Sequence, residues 1–289
     1  MIDANRQQDD PICFCKILTA PYRASGKALA CAPSVFPPPP RSRMTSSSEA
    51  RLDIVTDAEA LARHVADWLV ATAARSSRPF AVALSGGSTP RRLYELLASQ
   101  PYREAFPWER VHWFWGDERF VPHDSPQSNY RMVQQAMLAR VSVPAANIHP
   151  IPTEGLTPDE AALSYEQELK DFYGASTLGP DRPLFDVTFL GLGPEGHIAS
   201  LFPGTAVLKE RTRWVGCVIG AKPEPRITLT YPALESSREV AFLVAGAAKR
   251  DVLEQLLRGN PELPAAHLHP VHGALHLFVD RAAAPHEVR

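Results

Sequence analysis

The sequence predicts an α/β fold of three layers, in which helices cover both faces of a mostly parallel, Rossmann-like sheet. Three features of the chain support this fold class. Predicted strands and helices alternate along the sequence. The strands are nearly continuous apolar runs without polar alternation, which is typical of parallel strands buried on both faces. Glycine-containing turns follow two of these strands, at the edge where open α/β sheets bind ligands.

The individual elements follow from periodicity and from helix-start signals. Thr56–Glu59 and Thr157–Glu160 each have the spacing of a capping box, and Pro158 suits the first position of a helix. Apolar residues at helical spacing predict helices over residues 57–75, 88–99, 129–140, 157–173 and 247–258. Continuous apolar runs predict strands over residues 78–85, 111–115, 185–191, 214–219, 240–245 and 274–279.

Composition excludes several classes of function. The chain has 289 residues, of which 45% are hydrophobic, and this is enough for a substantial core. A formal net charge of -2 gives no general attraction for nucleic acid. No apolar run approaches the roughly 18 residues that a membrane span requires. Three of the four cysteines precede the periodic region and only Cys217 lies within it, which argues against a disulfide framework and favours the cytoplasm.

Residues 1–49 differ from the rest of the chain. They contain Pro37–Pro40, a run of serines at Ser46–Ser48 and no sustained periodicity. Such a segment buries too little apolar surface to offset the entropy lost on ordering. We therefore expect a disordered leader, or a start assigned too far upstream with Met44 as the true initiator. No proline-rich linker divides residues 50–289, so we expect one domain there.

The segment that follows the first predicted strand has the features of an anion-binding loop. Gly86 and Gly87 allow backbone N–H groups to approach a ligand closely, and the next helix presents its positive end. Hydroxyl groups are provided by Ser85, Ser88 and Thr89. The segment matches neither a Walker A loop nor the dinucleotide-binding glycine pattern, which argues against ATP or a dinucleotide. The alternative is a tight turn in which a serine or threonine only caps the helix.

Charged residues at two other places are candidates for the same site. Asp117 and Arg119 follow the predicted strand 111–115, where Arg119 is able to bind an anion or an oxyanion and Asp117 to orient a base. Lys222 and Arg226 lie in a proline-containing loop before an extended run and would complete an anion site. The alternatives are a salt-bridged loop for the first pair and a solvated loop for the second.

A single histidine, His197, lies in the glycine-rich stretch Leu190–Gly204 directly after a predicted strand. Histidine is the side chain best suited to acid–base chemistry near neutral pH. We predict that His197 opens a short helical segment and acts as a base, the alternative being a structural histidine. Ser200 lacks the sequence context of a serine nucleophile, so we expect it to cap or pack.

Histidines near the carboxyl terminus suggest a metal site that their spacing does not support. The four histidines are His267, His269, His272 and His276. Only His272 and His276 are four residues apart, but His276 belongs to the predicted strand 274–279, so the pair does not form a helical zinc motif, and the group includes no cysteine. We therefore predict no metal site, and we expect His276 to face outward from the last strand.

Taken in order, these segments resemble the 6-phosphogluconolactonase family, the lactone-hydrolysing branch of a superfamily that also contains glucosamine-6-phosphate isomerases and deaminases. The resemblance extends over about residues 50–285. The matching segments are Ser85–Pro90, Trp115–Arg119, Ser128–Tyr130, Gly191–Gly204 and Arg226–Thr230. Glu195 stands where the family usually has aspartate.

Two positions favour the lactonase branch. After its glycine–histidine turn the deaminase branch usually has Ile-Ala-Phe-Asn-Glu-Pro, whereas this chain has Ile-Ala-Ser-Leu-Phe-Pro over Ile198–Pro203. The acidic motif of the deaminases usually ends in tyrosine, whereas Arg119 stands here.

The resemblance implies hydrolysis of 6-phospho-D-glucono-1,5-lactone to 6-phospho-D-gluconate, the second step of the oxidative pentose phosphate pathway, without cofactor or metal. It implies His197 as the general base, with Asp117 and Arg119 as further catalytic residues. The implied phosphate-binding residues are Ser85, Gly86, Gly87, Ser88, Thr89, Lys222 and Arg226. The expected partner is a small phosphosugar lactone, and the expected assembly is a monomer or small homo-oligomer. An aminosugar-phosphate isomerase/deaminase and a non-catalytic phosphosugar sensor remain as alternatives.

Overall fold

The structure, a computed structural model, describes residues 50–271 and 273–286. The predicted leader, residues 1–49, and His272 lie outside the described residues. Within the described ranges, no helix has the length and apolar character needed to cross a bilayer.

Strands and helices alternate along most of the described chain, as predicted. The strands are β1 (Ala50–Val55), β2 (Phe80–Leu84), β3 (Val111–Trp115), β4 (Asp117–Arg119), β5 (Ile148–His149), β6 (Phe185–Leu190), β7 (Val215–Val218), β8 (Arg226–Leu229), β9 (Ser237–Val244) and β10 (Ala274–Asp280). The α-helices are α1 (Ala58–Ala74), α2 (Ser88–Leu97), α3 (Tyr102–Ala105), α4 (Asn129–Ala136), α5 (Pro158–Tyr173), α6 (Tyr231–Glu235) and α7 (Arg250–Leu257). Helices cover both faces of the main sheet, so the predicted three-layer fold class is confirmed.

The main sheet has seven strands in the order β1-β10-β9-β6-β2-β3-β5, and every neighbouring pair is parallel. From β2 the chain proceeds to β3 and β5 on one side, and it then returns to β6 and β9 on the other. The strand order therefore reverses between β2 and β6. The loops that leave these two strands diverge, and in open α/β sheets such a switch point is where ligands bind.

A second, three-stranded sheet was not predicted. Its order is β4-β8-β7 and both of its pairings are antiparallel. The strand β4 consists of Asp117, Glu118 and Arg119, so no apolar run marks it in the sequence. The pairing of β4 with β8 sets Arg119 opposite Arg226.

Several local predictions need correction. Asp57, not Thr56, is the N-cap of α1, because its carboxylate accepts hydrogen bonds from the N–H groups of Glu59 and Ala60. The helix predicted over residues 129–140 ends at Ala136 and a separate 3₁₀ turn follows. In contrast, the capping box of α5 forms as predicted between Thr157 and Glu160.

The core is built from the central strands. Its largest fully buried side chains include Trp113, Phe114 and Trp115 of β3 and Phe185 and Phe189 of β6. Burial of such aromatic side chains supplies much of the driving force for folding. The sheet that carries the switch-point loops is therefore anchored on both sides of β2.

His276 belongs to this interior. It is only 4% exposed, and its Nε2 lies 2.8 Å from Oε2 of Glu239. The prediction that it faces outward is wrong, because β10 is covered on both faces.

Candidate active site

A cavity of about 260 Å³ lies at the carboxyl ends of β2, β6 and β9 and beside β4. Its wall includes most of the residues predicted from sequence: Ser85, Gly86, Gly87, Ser88, Thr89, Asp117, Arg119 and His197. Residues that are far apart in sequence thus meet at the switch point of the sheet. Lys222 and Arg226 are absent from the part of the wall that the described residues form.

The Ser85–Thr89 loop forms one side of the cavity. Tyr94 fixes the backbone of Ser85, since its hydroxyl accepts from Ser85 N–H at 3.0 Å and donates to Ser85 C=O at 2.9 Å. Gly87 has a φ of 108°, a conformation that favours glycine. Gly87 also occupies the N-cap position of α2, where no side chain of the described residues makes a capping hydrogen bond. The amino end of α2 therefore has unpaired N–H groups of the kind that bind anions.

A second side of the cavity comes from β4 and the start of α4. The buried carboxylate of Asp117 accepts a 2.6 Å hydrogen bond from Oγ of Ser200. Asn129 donates from Nδ2 to the C=O of Asp117 at 2.9 Å. Arg119 donates to the C=O of Gln127 at 2.6 Å. These contacts hold the side chains of Asp117 and Arg119 beside the cavity, and Ser200 packs as predicted.

Glu118 holds β4 and α4 together from the interior. Its carboxylate, on a residue that is 1% exposed, accepts from the N–H groups of Arg119, Asn129 and Tyr130 and from the hydroxyl of Ser128. Burial raises the pKa of Glu118, and these hydrogen bonds oppose that effect. The amino end of α4 also favours a negative charge at this position.

His197 lies on a tight turn, not on the short helix predicted there. Gly193 N–H donates to the C=O of His197 at 2.9 Å, and Gly196 N–H donates to the C=O of Gly193 at 3.0 Å. An isolated β-bridge between Ile198 and Leu201 follows in place of a helix. This turn closes on itself because glycines permit the reversal, and it presents the imidazole to the cavity.

The imidazole has an acidic neighbour. Nδ1 of His197 lies 3.1 Å from Oε2 of Glu195, although the angle is poor for a hydrogen bond. Neither atom has another hydrogen-bond partner among the described residues. Phe202 packs against the imidazole with 4.6 Å between ring centroids. The nearby carboxylate therefore favours the tautomer with a proton on Nδ1, which leaves Nε2 as the basic nitrogen.

The two groups shift each other's ionisation. Burial lowers the pKa of His197 below its usual value near 6.5, although Glu195 and Asp117 oppose this effect. Burial would raise the pKa of Glu195, but the hydrogen bond from Lys222 and the contact with His197 lower it to about 2. At neutral pH the site therefore holds an ionised carboxylate beside a neutral imidazole.

Lys222 and Arg226 have other partners. Nζ of Lys222 lies 2.9 Å from Oε1 of Glu195. The guanidinium of Arg226 donates to the C=O of Glu224 at 3.2 Å and contacts its carboxylate at 3.4 Å. The extended run predicted around Arg226 exists as β8, but its first residue lies beside Arg119 without lining the cavity.

Sequence reasoning missed Lys249, which lines the cavity. Its Nζ donates to the C=O of Leu192 at 2.7 Å. Lys249 follows Gly246 at the carboxyl end of β9, so the strand-end criterion that found Asp117 and Arg119 would also have found it.

The carboxyl-terminal histidines that the structure describes, His267, His269 and His276, do not assemble into a metal site. Among residues 50–271 and 273–286, no group of three or more histidine, cysteine, aspartate or glutamate side chains is placed to hold a metal ion. His267 contacts the C=O of Pro261 at 2.7 Å instead.

A polar cavity at the switch point of a parallel sheet places this chain among Rossmann-like α/β proteins that bind small molecules. A family model described as glucosamine-6-phosphate isomerases/6-phosphogluconolactonase matches residues 56–277. The chain belongs to this family, and the resemblance inferred from its motifs is confirmed.

Curated relatives and solved structures agree with this assignment. A 6-phosphogluconolactonase of Synechocystis is 44% identical over 206 residues, which cover 70% of this chain and 82% of that protein. One of Nostoc is 40% identical over 239 residues, covering 80% of this chain and 96% of that protein. The structure of 6-phosphogluconolactonase from Thermotoga maritima superposes with a TM-score of 0.68 at 30% identity, covering 80% of this chain and all of that one (100%).

Proposed function

We propose that this protein hydrolyses 6-phospho-D-glucono-1,5-lactone to 6-phospho-D-gluconate, as the second step of the oxidative pentose phosphate pathway. One observation carries the assignment: His197 and the Ser85–Thr89 loop line the same cavity. A base and an anion-binding loop on the wall of one cavity fit a sugar that carries a phosphate at one end and a lactone carbonyl at the other. Relatives that are 40% and 44% identical are named for this activity. Because Cys217 is the only cysteine of residues 50–289, we place the reaction in the reducing cytoplasm.

His197 is the general base in this mechanism. Its neutral Nε2 accepts a proton from water as the water oxygen forms a bond to C1 of the lactone. The carbonyl electron pair moves to oxygen and gives a tetrahedral oxyanion. When that intermediate collapses, the C1–ring oxygen bond breaks, and the imidazolium returns its proton to the ring oxygen. A positioned base of this kind contributes about 10²–10⁴-fold to the rate.

The remaining polar groups of the cavity bind and stabilise charge. We assign the phosphate to the Ser85–Thr89 loop, the amino end of α2 and Lys249, since these groups offer N–H donors and a cation on the cavity wall. Arg119, another cation on the cavity wall, suits the developing oxyanion. Binding of the phosphate holds the lactone ring beside His197, so that the reacting carbon is oriented toward the base.

Replacement of the base tests the mechanism. His197→Gln keeps a polar side chain in the turn but has no nitrogen that accepts a proton, so we expect kcat to fall about 10²–10⁴-fold. The measurement is the protein-dependent rate on freshly prepared lactone, after the spontaneous rate without protein is subtracted. Turnover near that of the wild type in His197→Gln would exclude His197 as the base.

The same assay separates the alternatives. A phosphosugar sensor would bind 6-phosphogluconate without accelerating hydrolysis. An aminosugar-phosphate deaminase would release ammonia from glucosamine 6-phosphate. We expect accelerated lactone hydrolysis and no ammonia, and either alternative result overturns the proposed function.

A further inference from the structure

We propose that Lys222 is a positioning residue for the base His197, acting through the carboxylate of Glu195, and not a ligand of the substrate phosphate. The role rests on the proposed function, in which His197 must be neutral to accept a proton. It differs from the interpretation that the sequence favours, in which a lysine in a proline-containing loop joins the phosphate site.

The contacts of Lys222 form a chain that ends at the imidazole. Its Nζ lies 2.9 Å from Oε1 of Glu195, and the other oxygen of that carboxylate, Oε2, lies 3.1 Å from Nδ1 of His197. The carboxylate thus has one oxygen for the ammonium group and one for the imidazole. An ammonium group on one oxygen fixes the orientation of the other.

A second contact leads to the same place. Nζ of Lys222 lies 4.9 Å from the centroid of the Phe202 ring, within the range of a cation–π interaction. Phe202 in turn packs on the imidazole of His197 at 4.6 Å. Lys222 therefore contacts both side chains that flank the imidazole, the carboxylate and the aromatic ring.

The cavity obtains its cations from other residues. Arg119 and Lys249 line it, and Lys222 does not. The carboxylate of Glu195 partly offsets the charge of this ammonium group, which weakens its attraction for a phosphate. The phosphate site proposed above is therefore complete without Lys222.

The physical effect of Lys222 on His197 is electrostatic. The groups that face the imidazole are the carboxylates of Glu195 and Asp117 and the ammonium of Lys222, with Arg119 and Lys249 on the same cavity. Both carboxylates favour the imidazolium, and Lys222 opposes them, which lowers the pKa of His197. Loss of Lys222 would leave the charge of Glu195 unopposed, so a larger fraction of His197 would be protonated at neutral pH.

The test is the pH dependence of kcat/KM for Lys222→Met between pH 5 and 8, with the spontaneous rate subtracted. Protonation of His197 abolishes the base, so activity falls on the acidic side. We expect this acid limb to move to higher pH by about half a unit or more, because the pKa of the base rises. We also expect inhibition by the product 6-phosphogluconate to change less than about twofold.

Two variants serve as controls. Lys249→Met changes the net charge of the protein by the same amount as Lys222→Met, but Lys249 lies on the cavity wall. We therefore expect Lys249→Met to weaken the binding of 6-phosphogluconate by about tenfold or more and to move the acid limb less than Lys222→Met does. Lys222→Arg retains the positive charge beside Glu195, so it should restore the acid limb toward that of the wild type. A thermal melt of each variant confirms that the fold is retained.

The outcomes distinguish this role from the proposed function. If Lys222→Met weakens product binding and leaves the acid limb in place, Lys222 is a phosphate ligand and the positioning role is wrong. If neither quantity changes, the role is also wrong. If the wild-type protein does not hydrolyse the lactone, the proposed function fails. In that case the positioning role is still tested by measuring the pKa of His197 in the wild type and in Lys222→Met by NMR. The signal of its ring proton is assigned by its absence in His197→Gln, and the role requires a higher pKa in Lys222→Met.

Discussion

The imidazole of His197 has little room to move. A Cβ atom placed on Gly193 would lie 2.0 Å from Nδ1 of His197, far inside van der Waals contact. Gly193 N–H also donates to the C=O of His197 at 2.9 Å. Gly193 therefore contacts both the backbone and the side chain of His197. Glycine is needed at position 193 because the imidazole occupies the space that any side chain would fill.

We therefore expect Gly193→Ala to displace the imidazole without unfolding the protein. The added methyl group pushes Nδ1 away from Glu195 and moves Nε2 from its place in the cavity, and small displacements of catalytic groups cost about 10²-fold. The measurement is kcat, together with inhibition by 6-phosphogluconate, which we expect to change only a few-fold. Gly179→Ala is a suitable control, since its Cβ would lie 3.5 Å from its nearest neighbour. A kcat for Gly193→Ala within threefold of that of Gly179→Ala would refute this account.

At the residue scale, sequence patterns predicted residues that line one cavity, but not every side-chain partner. His197, Asp117 and Arg119 follow buried strands, and a parallel sheet brings the carboxyl ends of such strands to one edge. The partner of Lys222 could not be predicted, because it lies in an irregular loop where sequence spacing does not set side-chain direction. The contact between Lys222 and Glu195 depends on how two loops pack.

At the scale of elements, the segment 263–269 packs against the turn that carries His197. Ala265 N–H donates to the C=O of Gly196 at 2.9 Å. Helix α6 anchors the segment, since the hydroxyl of Tyr231 donates to the C=O of Pro264 at 2.7 Å and Glu235 accepts from His269 N–H at 3.0 Å. The turn therefore depends on a neighbouring element that sequence analysis did not connect with it.

Glu235 makes this anchor sensitive to pH. Burial raises the pKa of Glu235 from 4.5 to about 7, despite the hydrogen bond from His269 N–H. A carboxyl group whose folded pKa is raised stabilises the fold fully below its unfolded pKa, and that contribution is lost as pH rises through the folded value. The loss therefore falls between about pH 4.5 and pH 7.

We expect Glu235→Gln to remove this dependence. The amide keeps an oxygen for His269 N–H but never ionises, so the free energy of unfolding of the variant relative to wild type should increase by about 2 kcal/mol from pH 5 to pH 8. Urea unfolding at the two pH values measures the difference. Glu262→Gln removes the same charge from an exposed position beside the segment and should show no such change. An equal response of the two variants to pH would rule out a raised pKa at Glu235.

Two strands that sequence analysis missed, β1 and β4, share a physical cause. The strand β1 alternates polar and apolar residues. Among the described residues it pairs with β10 alone, so as an edge strand it lacks the continuous apolar run that marks the central strands. The strand β4 is wholly charged and is held by its pairing with β8 and by Glu118. Strands whose formation depends on long-range pairing leave little trace in local sequence.

At the scale of the whole molecule, the order of strands places every proposed catalytic group. The loops after β2 and β6 diverge at the switch point, β4 adds Asp117 and Arg119, and the turn after β9 adds Lys249. None of these groups comes from β1, which lies at the far edge of the sheet. The contribution of β1 is therefore to stability, because it covers the outer edge of β10 along its register from Ala50 to Val55.

Two shortened forms of the chain test this division. A form that begins at Met44 keeps β1, so we expect its lactone hydrolysis to equal that of the full chain and its Tm to lie within about 2 °C of it. A form that begins at Thr56, with an added initiating methionine, lacks β1 and exposes the edge of β10. We expect it to lose several kcal/mol of stability, a fall in Tm on the order of 10 °C. Equal melting of the two forms would show that β1 is dispensable, and loss of activity on starting at Met44 would show that residues 1–43 contribute to the site.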